Sequence, residues 1–146
     1  EISISLGEPS KEYQEIHQVC VASQRSGIAA MQPGRPFQDA VLAFRQPIID
    51  AGFNSVECGL HGHGLASPEF PSTMYGGKGG AWDEHAYARI PAITFQENMV
   101  FATASDVYNP HWNDSTGLLL GRTVIITADG PEEITGIPLE DDPKVV

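Results

Sequence analysis

Two long apolar runs near the end of the chain, Met99–Tyr108 (MVFATASDVY) and Leu118–Thr127 (LLLGRTVIIT), constrain the fold more than anything else in the sequence. Both are rich in residues that favour strands, and the Asp129-Gly130 turn signal folds the second back into Glu132–Thr135 as a hairpin. The last third is therefore β-rich. Two helical patterns precede it. Ser10 after Pro9 is placed to cap a helix, Glu12 suits the positive end of its dipole, and Tyr13, Ile16, Cys20, Gly27 and Met31 fall near one face before Pro33-Gly34 ends it. A second helix is predicted over Phe37–Ala51, with Phe37, Val41, Phe44 and Ile48 on one stripe, Pro47 as a kink and Gly52 as the stop. Residues 1–7 alternate Ile2, Ile4, Leu6 against Ser3, Ser5 and read as a strand entering from something earlier. A short strand near Phe53–Val56 leads into a long Gly-, Pro- and His-rich stretch from Gly59 to Pro91, read as a functional loop.

With 146 residues, 41% of them apolar, the chain suits one domain whose core needs neither disulfides nor a structural metal. Eight basic against 19 acidic residues give a net charge of −11, which repels phosphate backbones and anionic lipids and argues against nucleic acid or a membrane as partner. No apolar run approaches the ~20 residues of a bilayer span, and no signal-peptide layout is present. Cys20 and Cys58, the only cysteines, lack close spacing and read as packing residues in a reducing, cytoplasmic setting. The acidic, Pro-broken segment 138–146 is expected to fray.

Chemistry concentrates in a few residues. His61 and His63 alternate with Gly59, Gly62 and Gly64, so an extended backbone sets both imidazoles on one face, uncrowded, as acid–base groups or metal ligands. The competing reading is a glycine turn whose histidines bond the backbone. Glu69, between Pro68 and Phe70-Pro71, is a carboxylate that can orient a histidine or bind a substrate amine, or is simply exposed. Asp106 shares a face of the 99–108 strand with Val100, Ala102, Ala104 and Tyr108, and is either a substrate-binding carboxylate or solvated at the strand end. His17, His85 and His111 read as surface residues. No G-x-S-x-G elbow and no phosphate loop is present, and Gly76–Gly80 around Lys78 has too few features to count.

The order of these pieces resembles the pita-bread metallopeptidase family, which includes methionine aminopeptidase, Xaa-Pro aminopeptidase, prolidase and the metal-free creatinase. EISISLGEPSKEYQEIHQVC is similar to the family's strand, Gly, Pro-Ser and long helix; MQPGRPFQDAV to its "alrPG" helix break; GHG at Gly62–Gly64 to its metal-histidine motif; FQENMVFATASDVY to "leeGMvftiEPgiy"; and RTVIITADGPEEIT to its closing hairpin. The resemblance covers residues 1–137. It implies an α+β fold, part of a pita-bread domain with two helices packed on a curved antiparallel sheet, followed by an acidic tail over 138–146. HGHGLASPEFP departs from the peptidase form "GHGiGlevHEpP", with Pro68 at the second histidine, and is closer to the "HGvGmcdEwP" loop of a subgroup that includes dimethylsulfoniopropionate lyases.

The family holds two divalent ions with two Asp, one His and two Glu. Carried onto this chain, the resemblance leaves His63 as the one matching ligand. Ala104 falls at the first Glu, Gly121 at the second, and Arg122 at the acid that follows, while both Asp positions fall before Glu1. Arg122 is expected to add positive charge near the same site, and Asp106 to substitute in part. Three readings follow from the resemblance: a degenerate domain acting as a binding or structural partner; a metal-independent, creatinase-like hydrolase or lyase with His63, His61 and Glu69 as its catalytic set; and an active metalloaminopeptidase. The first two expect no cofactor, whereas the third expects Mn, Co, Zn or Fe. The expected partners are a small peptide or small polar molecule, with a homo-oligomer or an N-terminal companion segment completing the site.

Overall fold

The computed structural model describes residues 1–65, 69–72, 92–109 and 117–146, with residues 56, 57 and 69–72 described by backbone alone. The elements in chain order are β1 (Ile4–Ser5), α1 (Lys11–Ala30), α2 (Phe37–Asp50), β2 (Asn54–Gly62), β3 (Glu69–Ser72), β4 (Val100–Tyr108), β5 (Gly117–Thr127), β6 (Gly130–Glu133) and β7 (Lys144–Val145). Strands β3-β2-β4-β5-β6 form one antiparallel sheet in that order, and α1 and α2 cover one face of it. This is the α+β arrangement expected of the sequence.

Helix α1 starts where the capping residue places it, with the Tyr13 amide donating to Ser10 Oγ at 3.2 Å. Its buried face packs across α2 at Gly27, where a Cβ would stand only 2.1 Å from the Phe44 ring. Phe37 stacks on Phe95 with ring centroids 4.2 Å apart, and both meet Phe101 edge-on. Along β4, Phe101, Thr103, Ser105 and Val107 turn toward the helices, and along β5, Leu118, Leu120, Val124 and Ile126 do the same. The opposite face carries Ala102, Ala104 and Asp106 beside Leu119, Gly121 and Thr123.

Several expectations are corrected. β2 extends to Gly62, so the first histidine lies in a strand rather than in the loop predicted from Gly59; its backbone pairs with β4 from Gly59↔Ala104 to Gly62↔Phe101. A bulge between Ser55 and Cys58 inserts one extra residue, so that both point into the core although they are three apart. His17 is buried, not a surface residue, because its Nε2 donates to the Glu140 carbonyl at 3.1 Å. The tail does not fray. Arg25 pairs with Asp141 at 2.5 Å and bonds the Leu139 carbonyl, and β7 pairs parallel with β1. His85, His111, Lys78 and the Glu69 side chain lie outside the described residues.

A buried polar seam joins α1 to the sheet. Ser23 Oγ meets Ser105 Oγ at 2.7 Å and donates to the Phe44 carbonyl, while Gln24 bonds Thr103, Ser105 and the Leu120 carbonyl. Cys20 and Cys58 are free thiols beside this seam, with Cys20 Sγ 3.6 Å from the Ser105 carbonyl. Burial pushes the Cys58 thiol from 9.0 up to about 11, and burial raises Cys20 as well. A thiol raised on folding contributes stability that is intact below its unfolded value and lost as pH climbs through the folded one. Urea midpoints are therefore expected to fall between about pH 9 and pH 11 in wild type, and less steeply in Cys58→Ser; an identical slope in both would refute the assignment.

Candidate functional site

The sheet face turned away from the helices collects most of the residues singled out from sequence. His61 sits in register with Ala102, and the His63 amide donates to the Val100 carbonyl at 3.0 Å, which continues the pairing beyond β2. The two imidazoles share this face with ring centroids 6.1 Å apart. His61 Nδ1 donates to the Gly62 carbonyl at 2.8 Å, so Nε2 keeps the lone pair. His61 is half-buried and His63 exposed. Asp106 is on the same face but four residues along β4 from Ala102, roughly 13 Å from the histidine row, and it is not brought into that group.

Between them lies a row of minimal side chains, since Gly59, Ala104 and Gly121 are cross-strand partners on three adjacent strands. Glu1, which sequence reasoning missed, fills the end of this row. Its backbone nitrogen donates to the Gly121 carbonyl and the Gly121 amide donates back, both at 3.0 Å, like a pair of antiparallel strand residues. Its carboxylate oxygen Oε2 stands 2.8 Å from where a Gly121 Cβ would be. The available signal was the alternation of residues 1–6, which sets Glu1 on the side of Ser3 and opposite Ile2.

Arg122 corrects the electrostatic expectation. Successive residues of a strand alternate faces, so Arg122 points with Leu120 and Val124 away from the site face. Its side chain is 2% exposed and its Nε lies 3.0 Å from Glu133 Oε1. Burial raises the Glu133 carboxyl, and the Arg122 charge opposes that shift. The cation thus neutralises a half-buried acid on the helix side and adds no charge to the site.

Residues 2–142 match the sequence pattern of metallopeptidase family M24. The chain belongs to that family. It is 26% identical over 136 residues to an uncharacterized peptidase of Staphylococcus aureus, covering 91% of this chain and 34% of that protein. A similar peptidase of Staphylococcus saprophyticus is 25% identical over 137 residues, with 92% and 34% covered. The M24 chain thus spans about a third of the length of these relatives. Its backbone matches the Xaa-Pro dipeptidase from Bacillus anthracis with a TM-score of 0.78 at 22% identity, over 99% of this chain and 36% of that one. The methionine aminopeptidase from Rickettsia prowazekii matches with a TM-score of 0.65 at 18% identity, over 88% and 54%. These likenesses place the helices and sheet in the pita-bread fold.

The fold implies a paired-metal centre, and the described residues on the site face do not by themselves supply its ligands. Two ions bridged by oxygens need several carboxylates converging from facing strands. Ala104 and Gly121, the positions that the motif resemblance pairs with the family glutamates, are cross-strand partners, and a Cβ on Gly121 would meet the Thr103 carbonyl oxygen at 2.9 Å as well as Glu1. Among the described residues no group of three or more His, Cys, Asp or Glu is placed to hold an ion. Also among the described residues, no helix is long and apolar enough to cross a membrane.

Proposed function

We propose that this M24 domain has lost the paired-carboxylate cage and uses its site face to bind a small peptide or polar molecule, or to serve as a structural partner within a larger peptidase-like assembly. The observation that carries this reading is the register of Ala104 with Gly121, which leaves the centre of the face without carboxylates of its own strands. Closely packed backbone at Gly121 supports it further, because the space a ligand side chain would need is taken by Thr103 and Glu1. A second reading is favoured by His61. With Nδ1 committed to the Gly62 carbonyl, Nε2 has no hydrogen-bond partner among the described residues and is the ring nitrogen left to accept a proton, as a metal-independent hydrolase or lyase requires. In this second reading His63 is the acid–base partner and Glu69 the substrate carboxylate.

One experiment separates these readings. The intact protein is titrated calorimetrically with Mn, Co, Zn or Fe in the divalent state, then assayed on Xaa-Pro dipeptides and small polar amides with and without each ion. The binding role expects neither two-ion stoichiometry nor turnover. Turnover without metal that collapses in His63→Ala establishes the acid–base reading in its place. Two bound ions with metal-stimulated peptide cleavage overturn both.

A further inference from the structure

The segment 138–146 crosses α1 and ends against β1, and β1 continues from the residues that seat Glu1 on β5. Four contacts hold it there: the Arg25–Asp141 ion pair, the Arg25 bond to the Leu139 carbonyl, the His17 bond to the Glu140 carbonyl, and the β1–β7 ladder with Ile4 opposite Lys144. Beyond that ladder the Gly7 amide donates to the Val146 carbonyl and the Val146 amide to the Ser5 carbonyl, each at 3.0 Å. On its other side the same short segment is tied to β5, by Ser3 Oγ on the Leu119 carbonyl and by the paired bonds between Glu1 and Gly121. Residues 1–5 therefore lie between β5 and the tail, with one edge bonded to each.

From this continuity we propose that the acidic tail is a strap that positions Glu1: its docking on α1 holds residues 1–5 against β5 and so fixes the Glu1 carboxylate on the site face. A two-residue ladder is too short to hold itself in water, so each edge of residues 1–5 depends on the other. The ion pair that anchors the strap is exposed, at 53% and 72% for its two side chains, so salt screens it and it is a weak contact of the strap. Glu1 is a positioned residue in this scheme and Arg25 a positioning one. The inference stands whichever reaction or ligand the face serves.

Amide hydrogen exchange on the intact protein tests it without an activity assay. The Gly7 amide reports the strap, the Gly121 amide reports the seat of Glu1, and the Ile126 amide, bonded to the Met99 carbonyl, reports the sheet. Arg25→Asp is expected to speed exchange at Gly7 and Gly121 together by about two- to fivefold, with Ile126 unchanged. Adding Asp141→Arg restores the pair with reversed charges and returns both rates part of the way, since an Asp at position 25 cannot donate to the Leu139 carbonyl. Ending the chain at Ile137 is expected to remove most of the protection at Gly121, by about tenfold or more. Gly121 protection that persists while Gly7 exchanges freely overturns the proposal, and so does a Gly121 rate that ignores both charge changes. Should the shortened chain lose Ile126 protection as well, the Arg25→Asp and Arg25→Asp/Asp141→Arg rates decide the matter alone.

Discussion

Gly27→Ala is expected to destabilise the fold by about 3 kcal/mol, the opposite of the gain that replacing an interior helix glycine normally brings. Helical propensity favours alanine by up to about 1 kcal/mol at such a position. That gain is overridden here because the new methyl would lie 2.1 to 2.3 Å from three atoms of the Phe44 ring, and the ring is fully buried with nowhere to retreat. Either α1 and α2 must separate, or Phe44 must leave its rotamer and disturb the core. Phe44→Ala alone should cost about 3–5 kcal/mol by leaving a cavity. The double variant should be no less stable than Phe44→Ala, since the methyl then enters vacated space. Urea denaturation of the four proteins gives the coupling directly, and a neutral Gly27→Ala would show that the helices do not cross this closely.

The second large effect belongs to Gln24, which is 0% exposed and uses both ends of its amide. Nε2 donates to Ser105 Oγ at 2.9 Å and to the Leu120 carbonyl at 3.2 Å, while Oε1 accepts from Thr103 Oγ1 at 2.7 Å. Gln24→Leu keeps much of the volume and removes all three bonds, stranding polar groups between helix and sheet. Each fully stranded group costs about 1–3 kcal/mol. Ser105 keeps Ser23, and Thr103 keeps a long bond to the Arg122 carbonyl, so the expected total is about 3 kcal/mol rather than three full penalties. Adding Thr103→Val to Gln24→Leu should recover part of the loss by removing one stranded hydroxyl. A double variant less stable than the single one would mean that Thr103 is satisfied elsewhere.

Local signals accounted for the elements whose partners lie nearby in sequence or whose periodicity is unbroken. Ser10, the Phe37–Ile48 stripe, the alternation of β4 and β5 and the Asp129-Gly130 turn each stand where the residues placed them. Asn98 illustrates how a departure from a motif can be physically neutral. It occupies a glycine position of the resembling family sequence and adopts φ +70°, a left-handed conformation that asparagine tolerates better than most residues. The tail failed to read as ordered because its composition is that of a frayed end, while its partners, Arg25 and His17, lie more than 100 positions away. β2 was cut short because glycine weakens the strand signal, although in a ladder Gly59 and Gly62 only remove side chains. Arg122 was misplaced for a different reason. Motif alignment matched residue identities, whereas the face a residue occupies follows from strand parity, which Leu118, Leu120, Val124 and Ile126 already displayed.

The extra residue between Ser55 and Cys58 decides more than the local bend. A strand obeys a two-beat rule, and one supernumerary beat upstream reverses the sense of everything downstream. Had the same residues run on from Ser55 in unbroken alternation, without the bulge, Leu60 would be thrust into the open and His61 and His63 would be driven in among Phe37, Phe95 and Phe101. Which chemistry the protein displays to its surroundings is thus written as an odd or even count at a position that itself carries no chemistry.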